Sequence, residues 1–149
     1  MEFKAKRFDE LSGREVYEIL KARSKVFMLE QNIRCLDMDG TDQRCLHCFF
    51  EEDGQVTAYL RAFPDGEKIR MGRVLTITHG QGHGRLIMER GTAAARELFG
   101  DRAVIMDAQK HAEGFYVKLG FVTTSGEFLE EGVVHVQMEL PQGVGIAKG

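Results

Sequence analysis

The chain has 149 residues, and 20 Lys and Arg against 23 Asp and Glu leave a formal net charge of −3. At roughly 150 residues per domain this is one domain, large enough to bury a core without disulfides or metal. The slightly acidic sum excludes a nucleic-acid binder relying on a broad basic surface, and 43% hydrophobic with 29% charged residues excludes disorder throughout.

No apolar run approaches the ~20 residues of a spanning helix, and Met1 to Arg7 lacks the apolar centre of a signal peptide. A cytoplasmic protein without membrane contact is the expectation. Cys35, Cys45 and Cys48 are an odd number with no secretory context, which argues against a disulfide framework.

In chain order, Phe3 to Arg7 reads as a short strand, and Ser12-Gly-Arg-Glu15 as a capping box that opens a helix. Val16, Ile19, Leu20, Val26 and Phe27 share one helical stripe, on which Arg23 is the charged exception and so needs a partner. From Glu30 to Arg44 the periodicity vanishes, and Asp37, Asp39, Gly40 and Asp42 mark an irregular acidic loop. Cys45 to Phe50 and Gln55 to Phe63 read as strands of a hairpin turned at Asp53-Gly54. A strand from about Ile69 to Thr78, a glycine cluster, and a helix from about Gly84 to Leu98 follow. Ala103 to Ala108 reads as a buried strand and His111 to Leu119 as a helix capped by Gly120. Phe121 to Ser125 and Val133 to Leu140 read as the last strands of a domain spanning 1–140, and 141–149 as a flexible tail.

The most informative segment is Val74 to Met88, where a β-branched run meets alternating glycines and then a helical pattern. Glycines let backbone N–H groups approach an anion, and the helix start adds partial positive charge, so this is a natural phosphate cradle. It is not a P-loop, since Gly84-Arg85-Leu86 supplies neither Lys nor hydroxyl. Nor is it a dinucleotide fingerprint, because counting from Gly80 or Gly82 the third position is Arg85 or Ile87. The plain alternative is a tight turn that binds nothing.

Gln109-Lys-His-Ala112-Glu-Gly-Phe-Tyr116-Val-Lys-Leu-Gly120-Phe121 follows in the next strand-to-helix unit. Together the two segments resemble motifs A and B of the GNAT superfamily of N-acetyltransferases. Motif A is R/Q-x-x-G-x-G/A, whose backbone grips the coenzyme A pyrophosphate. Motif B, N-x-x-A-x-x-x-Y-x-x-x-G-F, is matched by Gln109, Ala112, Tyr116, Gly120 and Phe121, with Gln for Asn. Arg23 to Gln31, the Asp37/Asp39/Asp42 loop, His47, Gly72-Arg73-Val74, Gly132 and His135 are similar to the ElaA-like branch. The resemblance covers about 3–140. With Gly82 and Gly84 aligned, His79 holds the Arg/Gln position of motif A, and the stretch from Arg73 to Gly80 is about two residues short.

The resemblance implies an α/β (α+β) fold: a mixed, mostly antiparallel sheet of about seven strands flanked by helices and splayed between the fourth and fifth. It implies acetyl transfer to a primary amine, from a small molecule or a peptide, with acetyl-CoA as donor and no metal. Coenzyme A would then meet the backbone of Leu75, Thr76 and Ile77, the loop His79, Gly80, Gln81, Gly82, His83, Gly84 and Arg85, and Gln109 and Tyr116 of motif B. Tyr116 is the implied acid for the departing sulfur. On the acceptor side stand Arg23, Glu30, Gln31, Asp42, His47 and His111. Asp37 and Asp39 are further candidates for a base, and Arg23 is expected to pair with one of these acids as a structural clamp.

Cys45-Leu-His47-Cys48 hints at zinc, but along a strand Cys45 and Cys48 face opposite ways. The competing function is a non-catalytic acyl-CoA-binding or regulatory module, since no base is evident. The sequence does not fix the oligomeric state, and a homodimer through the last strands stays open.

Overall fold

In the computed structural model, which describes residues 1–148, Asp53 and Gly54 both have positive φ, 52° and 76°, as a primed two-residue turn requires. They join β2 (Leu46–Glu52) to β3 (Gln55–Asp65), and a second tight turn leads into β4 (Lys68–Thr76). The resulting antiparallel meander is extended by β1 (Glu2–Arg7), which pairs with β2. A parallel strand, β5 (Val104–Gln109), lies beside β4. Among the described residues eight strands form one sheet in the order β1-β2-β3-β4-β5-β8-β6, and β7 also pairs with β8. Here β6 is Val122–Thr123, β7 Phe128–Glu130 and β8 Val133–Leu140. The strand beyond the expected seven is β7. Its three residues share one edge of β8 with β6, too short to show a period of their own.

Alternation along β2 divides the core. Leu46, Cys48 and Phe50 face α2 (His83–Phe99) and α3 (Glu113–Leu119), where they meet Ile87, Met88, Ala95 and Leu119. Phe49, with Tyr59 and Leu75, faces α1 (Gly13–Arg23) and packs on Ile19 and Ala22. The α1 start is the predicted capping box: Glu15 N–H donates to Ser12 Oγ at 3.0 Å and Ser12 N–H to Glu15 Oε1 at 2.8 Å. Lys4 and Lys6 of β1 also reach the Glu15 carboxylate, at 3.2 and 3.0 Å. After Arg23 the helix widens into a π-helical turn, Ser24–Glu30, rather than ending. None of the helices among the described residues is long and apolar enough to cross a membrane.

Residues 141–148, expected to trail off as a flexible tail, are instead held against α2 and α3; residue 149 lies outside the described residues. Arg96 donates to the carbonyls of Pro141 and Val144, and the Ala147 N–H donates to the Leu119 carbonyl at 2.8 Å. Ile146 packs against the core. Glycine-rich composition gives no sign of this, because the tie comes from backbone groups bound by Arg96, Arg85 and Asp101 rather than from an amphipathic pattern.

Burial opposes ionisation of Glu15, but the Ser12 N–H and the two lysines outweigh it and hold the carboxyl down to about 2. Its stabilising effect is therefore complete above its ordinary value of 4.5 and is lost as pH falls toward 2. Denaturant titrations across that window should show Glu15→Gln flattening the acid limb of the stability curve. Ser12→Ala should cost about 1 kcal/mol at neutral pH.

Candidate active site

The site begins where two strands part. β4 and β5 pair only at Ile69–Val104 and Arg70–Ile105, and beyond them they diverge. A bulge helps: β3 residues Tyr59 and Arg61 pair with Leu75 and Gly72, so Leu60 faces two residues, Arg73 and Val74. Arg73 accordingly takes a left-handed φ of 52°, costly for a side chain with a Cβ.

Ion pairs hold that arginine. Arg73 Nε donates to Asp37 Oδ1 at 2.9 Å and Nη2 to the Asp37 carbonyl at 2.9 Å. From the other side Arg23, fully buried, donates to Asp37 Oδ2 and Asp42 Oδ1, each at 2.8 Å. Arg61 completes the set with Asp42 Oδ1 at 2.9 Å and both oxygens of Asp39 at 2.9 and 2.6 Å. Three guanidinium groups thus meet three carboxylates, and formal charge cancels. The Arg61 guanidinium holds the Asp39 carboxyl well below its usual range. Asp42 is also lowered, Arg23 and Arg61 prevailing over a burial penalty.

His47 sits beneath. Its Nε2 lies 2.8 Å from the Asp42 carbonyl, which can only accept, so that nitrogen carries the proton and Nδ1 accepts from the Tyr59 hydroxyl at 2.7 Å. Burial lowers the His47 pKa and keeps the ring neutral.

In front of the cluster lies a cleft of about 480 Å³ between the parted strands. Its walls include Gln31, Asp37, Asp39, Arg61, Arg73, Asp107, Gln109, His111, Tyr116, Glu130 and His135. Of the residues expected on the acceptor side, Gln31 and His111 line it and Glu30 does not; neither do Arg23, Asp42 and His47. The last three stand behind Arg61 and Asp39, because β2 turns His47 toward α1 and the α1 stripe carries Arg23 inward. Glu30 and Gln31, at the end of the π-helical turn, bridge the mouth instead: His79 Nε2 lies 3.2 Å from Glu30 Oε1, and Gln109 Nε2 donates to Gln31 Oε1 at 2.9 Å. Cys45 donates to the Thr41 carbonyl and Cys48 is buried on the α2 side, so the two thiols do not converge.

The strand edge corrects one expectation. Ile77 N–H donates to the Thr57 carbonyl at 2.9 Å. By antiparallel alternation Leu75 is likewise turned to β3, and among Leu75, Thr76 and Ile77 only Thr76 presents its N–H to the open side.

Beyond β4 the chain passes Gly80 and Gly82, with φ of 77° and 76°, into α2. Among the described residues no acceptor meets the backbone N–H groups from His79 to Arg85, no side chain caps α2, and the His83 Nδ1 is buried without a partner. A Cβ at Gly80 or Gly82 would find open space, so backbone shape rather than crowding calls for glycine. Unpartnered donors at a helix start fit the pyrophosphate of coenzyme A. His79 is exposed, and Arg85 is engaged by the Ala147 carbonyl and Glu89, so the unpartnered donors of this loop are backbone N–H groups.

Tyr116, on α3, is packed edge-on against Phe115 and Phe121, and its hydroxyl makes no hydrogen bond among the described residues. Burial pushes its phenol pKa up, so it is protonated at neutral pH.

A splayed mixed sheet with a bulged fourth strand and an uncapped helix start defines the acyl-CoA N-acyltransferase fold. The chain belongs to the GNAT acetyltransferases: residues 10–141 match the acetyltransferase (GNAT) domain. A UPF0039 protein of Schizosaccharomyces pombe is 30% identical, over 94% of this chain and 97% of its own length. An acyl-CoA N-acyltransferase from Pseudomonas aeruginosa superposes with a TM-score of 0.87 at 32% identity, over 93% of this chain and 97% of that one. Escherichia coli ElaA superposes with a TM-score of 0.87 at 27% identity, over 93% and 99%.

Arg61, Asp107 and Glu130 belong to none of the motifs visible in the sequence. Arg61 and Asp107 carried the signal that exposed Arg23, a lone charge inside an apolar run. Arg23→Ala would leave three carboxylates facing two guanidinium groups, with Asp37 keeping only Arg73 and Asp42 only Arg61, and so one buried negative charge unmatched. We expect a loss of about 3–5 kcal/mol in urea unfolding, whereas Lys21→Ala, on the exposed face of the same helix, should change little.

Proposed function

We propose that this protein is an acetyl-CoA-dependent N-acetyltransferase that acts on a primary amine of a small molecule or peptide, by direct attack with both substrates bound. The observation that carries this reading is the splay itself, where a strand edge with a free Thr76 N–H leads to the unpartnered helix start of α2. When bound, acetyl-CoA supplies an acetyl group already activated as a thioester. The protein's part is to hold and align. The α2 start and glycine loop grip the pyrophosphate, and Thr76 N–H is positioned to donate to an acyl oxygen as negative charge grows on it. Confinement in the cleft makes an otherwise bimolecular attack effectively intramolecular. Tyr116, kept protonated by burial, is the acid for the leaving sulfur. Three free cysteines agree with a reducing, cytoplasmic setting.

Calorimetric titration with acetyl-CoA, with ATP and NAD as controls, tests the cofactor assignment: selective binding is expected, and no binding would overturn it. Tyr116→Phe should leave acetyl-CoA affinity and melting temperature unchanged, since the hydroxyl has no hydrogen-bond partner among the described residues. It should lower kcat about a hundredfold. A non-catalytic acyl-CoA-binding module would bind equally well and show no thiol release with any amine.

A further inference from the structure

The proposed chemistry needs a neutral amine, yet a primary amine is an ammonium ion at neutral pH, and none of the residues above removes its proton. The wall of the cleft formed by β5, β7 and β8 holds an unused group of titratable side chains. His135 on β8 is 9% exposed at its side chain. Its Nδ1 lies 2.7 Å from the Val133 carbonyl, an acceptor only, so that nitrogen bears the proton. Phe128 stacks on the ring and fixes its plane. The opposite nitrogen, Nε2, makes no hydrogen bond among the described residues and stands 3.6 Å from Glu130 Oε2. In the neutral ring Nε2 is a lone pair, so an ionised Glu130 beside it sets two acceptors face to face with nothing between them. Asp107 of β5 adds a third on the same wall. Burial, reinforced by the Asp107 carboxylate, raises the Glu130 pKa, while His135 when protonated, and Arg73, oppose the rise. Arg70 of β4 faces Asp107 at 3.5 Å, and Glu131 lies beside Glu130 on the same rim.

This arrangement lacks one thing, a group with several N–H donors and a positive charge. We propose that Asp107, Glu130 and His135 receive the acceptor's ammonium group and take its proton. The inference rests on the N-acetyltransferase reading and names its proton acceptor. An ammonium N–H bond breaks, the proton passes to the Glu130 carboxylate or to His135 Nε2, and the nitrogen keeps the electron pair for attack. Glu130, half-exposed at the rim, returns the proton to water. The acceptor selected is therefore a compact cation of the primary-amine type, and a neutral amide or alcohol gains nothing from this wall.

The test has two arms and uses n-butylamine as probe. In 15N-histidine NMR of the free protein, n-butylammonium should shift the His135 Nε2 resonance in wild type but not in Glu130→Gln; no shift in wild type overturns the proposal. In thiol release from acetyl-CoA with n-butylamine in excess, Glu130→Gln should lower kcat/KM about a hundredfold near neutral pH with unchanged melting temperature. The deficit should shrink about tenfold per pH unit as the free amine accumulates, a recovery that a merely structural role would not give. A variant equal to wild type at every pH overturns the proposal while leaving the acetyltransferase reading intact. Absence of acetyl-CoA binding in calorimetry instead removes that reading itself.

Discussion

The wall of the cleft formed by the acidic loop depends on neutralising Arg23. A guanidinium with no exposed surface is tolerable only when its charge is matched and its donors are filled, and Asp37 and Asp42 do both. Those two aspartates belong to a loop that is irregular apart from one short 3-10 turn, Asp42–Arg44. Once they are tied to Arg23, the loop is tied too, and its remaining acid, Asp39, falls opposite Arg61. Two partners from the sheet, Arg61 and Arg73, close the cluster. A loop that would otherwise wander thus becomes one wall of the cleft, fastened to α1, β3 and β4 at once.

The cleft has a second cause, independent of charge. β5 reaches β4 through a crossover helix and touches it over two residue pairs, while the extra residue in β4 increases its twist away from β5. Parting the strands leaves backbone donors without neighbours, a state that sheets ordinarily avoid. Among the described residues nothing repairs this at Thr76, nor at the start of α2. The unmet donors lie in a row where an elongated, anionic, carbonyl-bearing ligand would supply their partners.

Much of this was legible in residue order. The Asp53-Gly54 turn, the capping box at Ser12, the strand-to-helix passage at Gly80 to Gly84 and the need of Arg23 for an acid are local facts, each set by a few neighbouring residues. What was not legible depends on which side of a strand faces which layer. His47 was grouped with the acceptor because it lies near the acidic loop in sequence, but the parity of β2 sends it to the interior. The family pattern offers the N–H groups of Leu75 and Ile77 to ligand, yet the bulge at Arg73 and Val74 resets the alternation and turns both toward β3. The contacts of residues 141–148 are illegible for a different reason: backbone carbonyls bound by Arg96 and Arg85 leave no pattern in side chains. Glu130 was hidden in a turn, since three residues cannot display a strand's period.

Arg73 combines two demands that seldom fall on one residue. Its backbone needs a conformation that glycine or asparagine would adopt at less cost, while its side chain is the only strap joining β4 directly to the Asp37 carbonyl and carboxylate among the described residues. A sequence designer optimising the strand alone would relax the kink with a smaller residue and cut the loop adrift. One optimising the ion pairs alone would straighten the strand and close the splay. The arginine is a compromise between local geometry and long-range attachment, and its cost in backbone strain is what couples the shape of the fourth strand to the position of a loop 36 residues earlier.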